Sequence, residues 1–470
     1  MTREKSLIKN TLIITIGKVC TQMITFFLLP LYTGVLSVSE YGTVDLLNTL
    51  VALLLPIVTF QIEMAVFREL IENRNNKFEK IEIISTSIIS VFVHCLIFFL
   101  LFAFASSFIK NNYKLFLVIN VIASIFNSLF LQIARGFGDN TRYAIASFLS
   151  AFFTVISNVL FLVVFKFKVE GMLLGTFMGQ CVSSIYMFSS LKLYKYISIL
   201  NFNMETLKEL WKFSLPMIPN QISWWIFSSS DRIIVTSFLG LSATGLLAAS
   251  SKFSSTLTTV YSFFGMSFTE SIIEHINDED INVYFNKMFR MVLNLFVSMG
   301  IGMIACMPFI YPIMINSKFN DGYKLVPILI VASLFYIIVG MLAVIYVAKR
   351  DTKAVSKTSI ISSIINIISH LILIKYIGLY AAAISTFLSY FVLAIYRLMD
   401  VGDKFFSVKL VKKDFRITIL VLIIVMIAYY INNFYLNIVS ILIAGIFFLK
   451  INYKFINNII SVVKSKLVLK

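Results

Sequence analysis

Five charged side chains fall inside stretches of this sequence that are too apolar to hold them cheaply. Lys18, Arg68, Arg232 and Lys252 are cations, and Asp231 is the acid beside Arg232. A charge near the centre of a bilayer costs about 2.5–3.5 kcal/mol unless it reaches water or a partner. Lys and Arg suit phosphate, and the planar guanidinium fork suits it bidentately. Cations gathered along a hydrated path would therefore favour an anion. Asn220, Gln221, Trp224 and Trp225 form a polar and aromatic patch a few turns before Asp231. That patch could line a path for sugars, and its tryptophans equally fit an interfacial aromatic belt. Plain structural readings stand beside these. Asp231 and Arg232 could neutralise each other, Lys18 and Arg68 could snorkel to the interface, and Arg135 and Arg142 could simply flank a turn.

The bulk composition says what must position these residues. The chain has 470 residues, 59% hydrophobic and 13% charged, with 46 Phe. Its mean hydropathy is +0.91. A soluble domain carries about 25% charged residues, so an ordinary soluble protein is excluded. The net charge of +17 would suit nucleic acid. Here, however, the cations punctuate apolar runs, which points to orientation in a membrane and to no nucleic-acid partner. The four cysteines each sit inside an apolar run and the three histidines are scattered. Neither a disulfide framework nor a metal site is expected. The first apolar run lacks a cleavage site and is too long for a signal peptide.

A span needs about 20 mostly apolar residues. That rule predicts an all-α integral membrane protein with fourteen spans. They cover 11–36, 43–71, 83–109, 114–134, 143–165, 171–191, 213–238, 245–270, 287–315, 324–347, 358–374, 378–396, 417–432 and 434–449. With the N-terminus inside, the cytoplasmic segments hold 29 Lys+Arg and the outer segments 7, leaving the four intramembrane cations. Both termini are therefore expected in the cytoplasm. The basic loops 192–212 and 397–416 could rest on anionic headgroups, and the tail 450–470 could lie in the interface.

Three blocks recur in order. VLSVSEYGTVDLL (35–47) matches FLGLSATGLLAAS (238–250), pairing Gly42 with Gly245. DNTRYAIASFLS (139–150) matches DTKAVSKTSIIS (351–362), and GMLLGTF (171–177) matches AAAISTF (381–387). The expected division is a lobe over 1–200, a parallel second lobe over 201–400 and an addition over 401–470. Parallel repeats place substrate near their interface. Arg232 and Lys252 flank the Gly240 turn and lie roughly 10 Å in from the outer end at about 1.5 Å per residue. Lys18 lies equally deep from the inner end. Pro30, Pro56, Pro216 and Pro219 leave carbonyls unpaired and loosen their helices.

The stretches SLPMIP…SSSDRIIVTSFLG…TGLLAASSKF and KNTLIITIGKVCTQMITFFLLPLYTGVLSVSEYGTVDLLNTL, followed by FQIEMAVFRE, carry a resemblance. They resemble the polysaccharide flippases of the multidrug/oligosaccharidyl-lipid/polysaccharide exporter superfamily, which serve O-antigen, capsule and teichuronic acid. The resemblance implies a fold of 6+6+2 helices, and a V-shaped cationic cavity that alternates between inward- and outward-open states. It implies an activity too, moving an undecaprenyl-pyrophosphate-linked oligosaccharide across the plasma membrane without enzymatic change. Lys18, Arg68, Arg232 and Lys252 would be the cavity cations, with Asp231 as partner acid and Asn220, Gln221 and Trp224 nearby. The expected partners are that lipid-linked glycan, membrane lipids, and the polymerase and other surface-polysaccharide assembly proteins. No cofactor is expected beyond a coupling proton or sodium ion at Asp231 or Glu63. The alternatives are a cation or multidrug antiporter of the same superfamily, which would want more acids, and a membrane polymerase or glycosyltransferase. The latter would need a sizeable outer loop with catalytic groups.

Overall fold

A computed structural model describes residues 26–106, 112–349, 351–408, 412–453 and 456–457. All regular structure among them is helical. Twelve runs among the described residues are long and apolar enough to cross a membrane. One of these, Ser229–His275, is bent into two helices at Gly240. Several runs begin where a short polar side chain meets the first backbone N–H groups. Ser37 opens the Val38–Thr59 helix in a capping box with Glu40. Asn76, Asn203 and Asn433 open Lys77–Ala105, Met204–Ser214 and Phe434–Ile451 in the same way.

The chain divides into two compact units. The first holds the residues up to Thr236 together with Gly240–Gly245, and the second holds Ser237–Leu239 and everything from Leu246. In the first, Lys114–Gly136, Asn140–Val159 and Val169–Ser190 pack against one another, and Lys114–Gly136 and Val169–Ser190 also pack against the Val38–Thr59 helix. Buried Asn158 donates to the Tyr32 hydroxyl at 2.7 Å. In the second, Ile281–Met314 carries the last two helices. Arg290 pairs with Asp414 at 2.5 Å, and Asn452 donates to Ser298 Oγ at 2.8 Å. Tyr429 donates to the Tyr323 carbonyl and stacks on its ring at 4.2 Å.

Each unit carries one turn of the same hydrogen-bonded form. Asp139 N–H donates to Ala134 O at 2.9 Å, and its carboxylate accepts from Arg142 N–H at 2.9 Å. Asp351 N–H donates to Tyr346 O at 2.8 Å, and its carboxylate accepts from Ala354 N–H at 3.1 Å. Each aspartate therefore closes one helix and caps the next.

One predicted span is corrected. The run 43–71 is two helices, Val38–Thr59 and Ile62–Glu72. Phe60 and Gln61 between them both have left-handed backbone, at φ 53° and 58°. For residues other than glycine this conformation costs on the order of 1–2 kcal/mol each. Pro56 lies four residues upstream and cannot donate to the preceding turn, which weakens the helix where it ends. Thr59 Oγ1 then accepts from Gln61 N–H at 3.1 Å, closing the break.

Candidate functional site

Gly240 sets the local geometry. Its backbone lies at φ 83° and ψ 177°, a region that essentially only glycine occupies. The chain leaves one helix and enters the next without a loop, and Thr236 and Thr244 join their hydroxyls across the bend at 2.7 Å. Within the first unit, the Val38–Thr59 helix meets this bend along a stripe of three residues spaced three and four apart, the spacing of one helix face.

The stripe has three rungs. At the first, Gly42 lies against Gly245. A Cβ on Gly42 would sit 2.0 Å from the Leu241 carbonyl oxygen, and one on Gly245 2.0 Å from that of Val38. Only a small residue permits such backbone approach, as at many intramembrane helix crossings. At the second, Arg232 Nε donates to Asp45 Oδ2 at 3.4 Å, with both side chains about 21% exposed. At the third, Trp225 Nε1 donates to the Thr49 carbonyl at 2.9 Å.

The expected site residues fall as follows. Lys18 lies outside the described residues. Asp231 is buried at 7% exposure. Arg232 is half-buried and pairs with Asp45. Asn220 and Gln221 are exposed, as is Trp224. Arg68 lies near a helix end, pairs with Glu72 at 3.0 Å with both side chains about half exposed, and stacks over Phe213 at 4.7 Å. Glu63 is buried just after the helix break and accepts from Gln61 Nε2 at 3.5 Å. Its Oε2 has no hydrogen-bond partner among the described residues. Lys252 belongs to the second unit, is half-buried, and has no ion-pair partner among the described residues. Around it the sequence is rich in serine and alanine, and hydroxyls of Ser255 and Thr256 cap its own carbonyl.

Two charged residues join the candidates. Asp45 sits inside the block that carries the repeat, three residues after Gly42, so its place on the stripe is a signal the sequence holds. Arg397, counted by sequence in a cytoplasmic segment, is 2% exposed. Its guanidinium donates to the Val339 and Val355 carbonyls at 3.0 and 3.3 Å, to Thr358 Oγ1 at 2.8 Å and to Ser359 Oγ at 3.3 Å. It thus ties Val326–Ala348, Thr352–Ile377 and Tyr380–Lys404 together through neutral oxygens. No group of three or more His, Cys, Asp or Glu capable of holding a metal occurs among the described residues.

Comparison with known proteins places this geometry. The profile of a family described as polysaccharide biosynthesis protein matches residues 7–269. No curated protein matches the sequence. Among solved structures, the lipid II flippase MurJ in an inward closed conformation is similar at TM-score 0.72 and 18% identity, over 96% of this chain and 100% of that one. An inward-facing multidrug resistance MATE transporter of the MOP superfamily is similar at TM-score 0.65 and 14% identity, over 83% and 98%. A MOP superfamily transporter from Pyrococcus furiosus, described by the reverse polarity of its binding pocket, is similar at TM-score 0.54 and 15% identity, over 85% and 96%. The helices and these likenesses together make this a multi-pass membrane protein with the MATE- and MurJ-like fold.

Proposed function

This chain belongs to the polysaccharide biosynthesis protein family, and from that premise we propose that it is a flippase for undecaprenyl-pyrophosphate-linked oligosaccharide. It would carry repeat units for capsule or another surface polysaccharide across the plasma membrane by alternating access, with fourteen spans in a 6+6+2 order and both termini in the cytoplasm. Lys252 carries the reading. An ammonium group inside an apolar helix, without an acid to pair with among the described residues, costs about 2.5–3.5 kcal/mol unless water or an anion meets it. A pyrophosphate passing that point would supply the missing charge. Arg232, one helix earlier, would offer the cargo a guanidinium contact although Asp45 and Asp231 offset its charge, and Lys18 would add a further cation. The glycan would occupy hydrated space near Asn220, Gln221 and Trp224, and the polyprenyl tail would stay in lipid.

The test is a reconstituted assay in liposomes. A fluorescent lipid-linked oligosaccharide should change leaflets and be recovered chemically unaltered. Lys252→Ala and Arg232→Ala should each slow that movement at least tenfold, while both proteins still reach the membrane at normal abundance. Cleavage or extension of the glycan would instead make the protein an enzyme. Unimpaired movement in both variants would remove the cation assignment.

A further inference from the structure

The segment between the Val169–Ser190 helix and the Ile218–His275 helix is held in place yet shows apolar side chains to its surroundings. The short turn Ile199–Asn201 leaves Ile199 83% and Leu200 96% exposed. Such exposure is ordinary for a single residue on a loose loop. Here the loop is pinned on both sides to the Lys77–Ala105 helix. Ser85 Oγ donates to the Tyr196 carbonyl at 2.7 Å and accepts from Ser198 N–H at 3.0 Å. Asn203 N–H donates to Thr86 Oγ1 at 3.1 Å. Glu82 Oε1 accepts from Asn203 Nδ2 at 2.8 Å and from the Thr206 hydroxyl. The Tyr196 ring packs on Phe137 at 5.5 Å. The two aliphatic side chains are thus presented by a fixed frame rather than by a floppy strand.

The height of that frame follows from the helix it hangs on. From Ser85 to the helix end at Ala105, at about 1.5 Å per residue, is roughly 30 Å. That equals the thickness of a bilayer's hydrocarbon core, about 30 Å. With Ala105 at the opposite edge, Ser85 and Thr86 would lie at the hydrocarbon edge at the basic end of the helix. Beyond them the helix shows Phe92, Leu96, Leu100 and Phe104 to the outside, the pattern of a lipid-facing surface. Lys192, Lys195, Lys208 and Lys212 flank the turn in sequence, against Glu205 and Glu209, an excess of cations suited to anionic headgroups.

We propose that Ile199 and Leu200 form an in-plane membrane anchor. Their side chains enter the acyl edge of the leaflet at the basic end, the neighbouring lysines meet anionic headgroups, and the partner is the bilayer's own lipid. The anchor holds the segment between the Val169–Ser190 and Ile218–His275 helices at a fixed depth. It does not depend on which cargo is carried.

The test uses the full chain in nanodiscs containing phosphatidylglycerol. Cys20, Cys95, Cys181 and Cys306 are replaced by Ala, and Leu200→Cys and Lys208→Cys are each labelled with a nitroxide. At position 200, collisions with oxygen should exceed those with a water-soluble nickel chelate several-fold. At position 208, exposed on the helix that follows, the order should reverse. Equal nickel access at both positions would overturn the anchor. So would dipolar broadening at position 200 at full labelling, because a second copy of the chain would then be the cover. Leu200→Trp with all native cysteines retained gives an independent reading. Brominated lipid should quench it beyond the three native tryptophans, and no added quenching would count against the proposal.

Discussion

Arg232 and Asp45 show how one contact changes the meaning of a charge. A cation within an apolar span invites a ligand, and a cation within reach of a carboxylate is partly answered already. The contact is long at 3.4 Å and both groups keep some exposure, so the carboxylate tempers the guanidinium without cancelling it. A double-mutant cycle with Asp45→Asn and Arg232→Gln should give a coupling of about 1 kcal/mol by thermal unfolding in detergent. A coupling near zero would mean that the two side chains do not meet. Asp45 is hard to read from sequence as an interior acid because hydropathy averages over a window and the residues around it are strongly apolar. Arg397 was hidden for the opposite reason. Asp400, Asp403 and Lys404 follow it and make the stretch read as a solvated segment. Its burial comes from carbonyls and hydroxyls on two other helices, which no local pattern records. Arg397→Met should lower stability by about 3 kcal/mol or more, because those oxygens lose their donors in a buried setting. Arg397→Lys, which can reach only some of them, should fall between. A melting temperature unchanged in both variants would refute the clamp.

Among the elements, helices were the legible part. The runs predicted at 114–134, 171–191 and 434–449 are observed at Lys114–Gly136, Val169–Ser190 and Phe434–Ile451. Their apolar length and polar caps are both local properties. The break at Phe60–Gln61 was not legible, since neither residue is a turn former and Pro56 alone gave a hint. Whatever compensates the left-handed backbone there is tertiary, including Phe60 packing on the His94 ring at 4.8 Å. The glycine pair lies between these cases. Sequence comparison aligned Gly42 with Gly245 as equivalent positions of a repeat, but only coordinates show that they touch. Their contact is made of backbone on both sides, so no side chain can yield to an added methyl group. Gly42→Ala and Gly245→Ala should each cost about 2–3 kcal/mol and reduce the yield of folded protein. Gly34→Ala, whose Cβ would meet nothing within 4 Å, is the control and should cost well under 1 kcal/mol. Equal behaviour of all three variants would show that the helices do not cross at the first rung.

At the scale of the whole chain, the distribution of charge becomes a statement about direction. Each unit has basic and less basic ends, and positive segments stay on the cytoplasmic side when spans insert. If the count of 29 against 7 governs insertion, Lys195 in the first unit and Lys353 in the second face the cytoplasm. Lys166 and Lys375 then face outward. All four side chains are exposed, so each can report without disturbing a core. In intact cells producing the protein without its native cysteines, a membrane-impermeant maleimide should label Lys166→Cys and Lys375→Cys. It should spare Lys195→Cys and Lys353→Cys until the membrane is opened. The reverse pattern would invert the protein and with it the direction of transport. A mixed pattern, with one unit obeying the count and the other not, would contradict parallel repeats. An even number of spans per repeat requires both units to insert the same way, so the two members of each pair must agree whatever the cargo is.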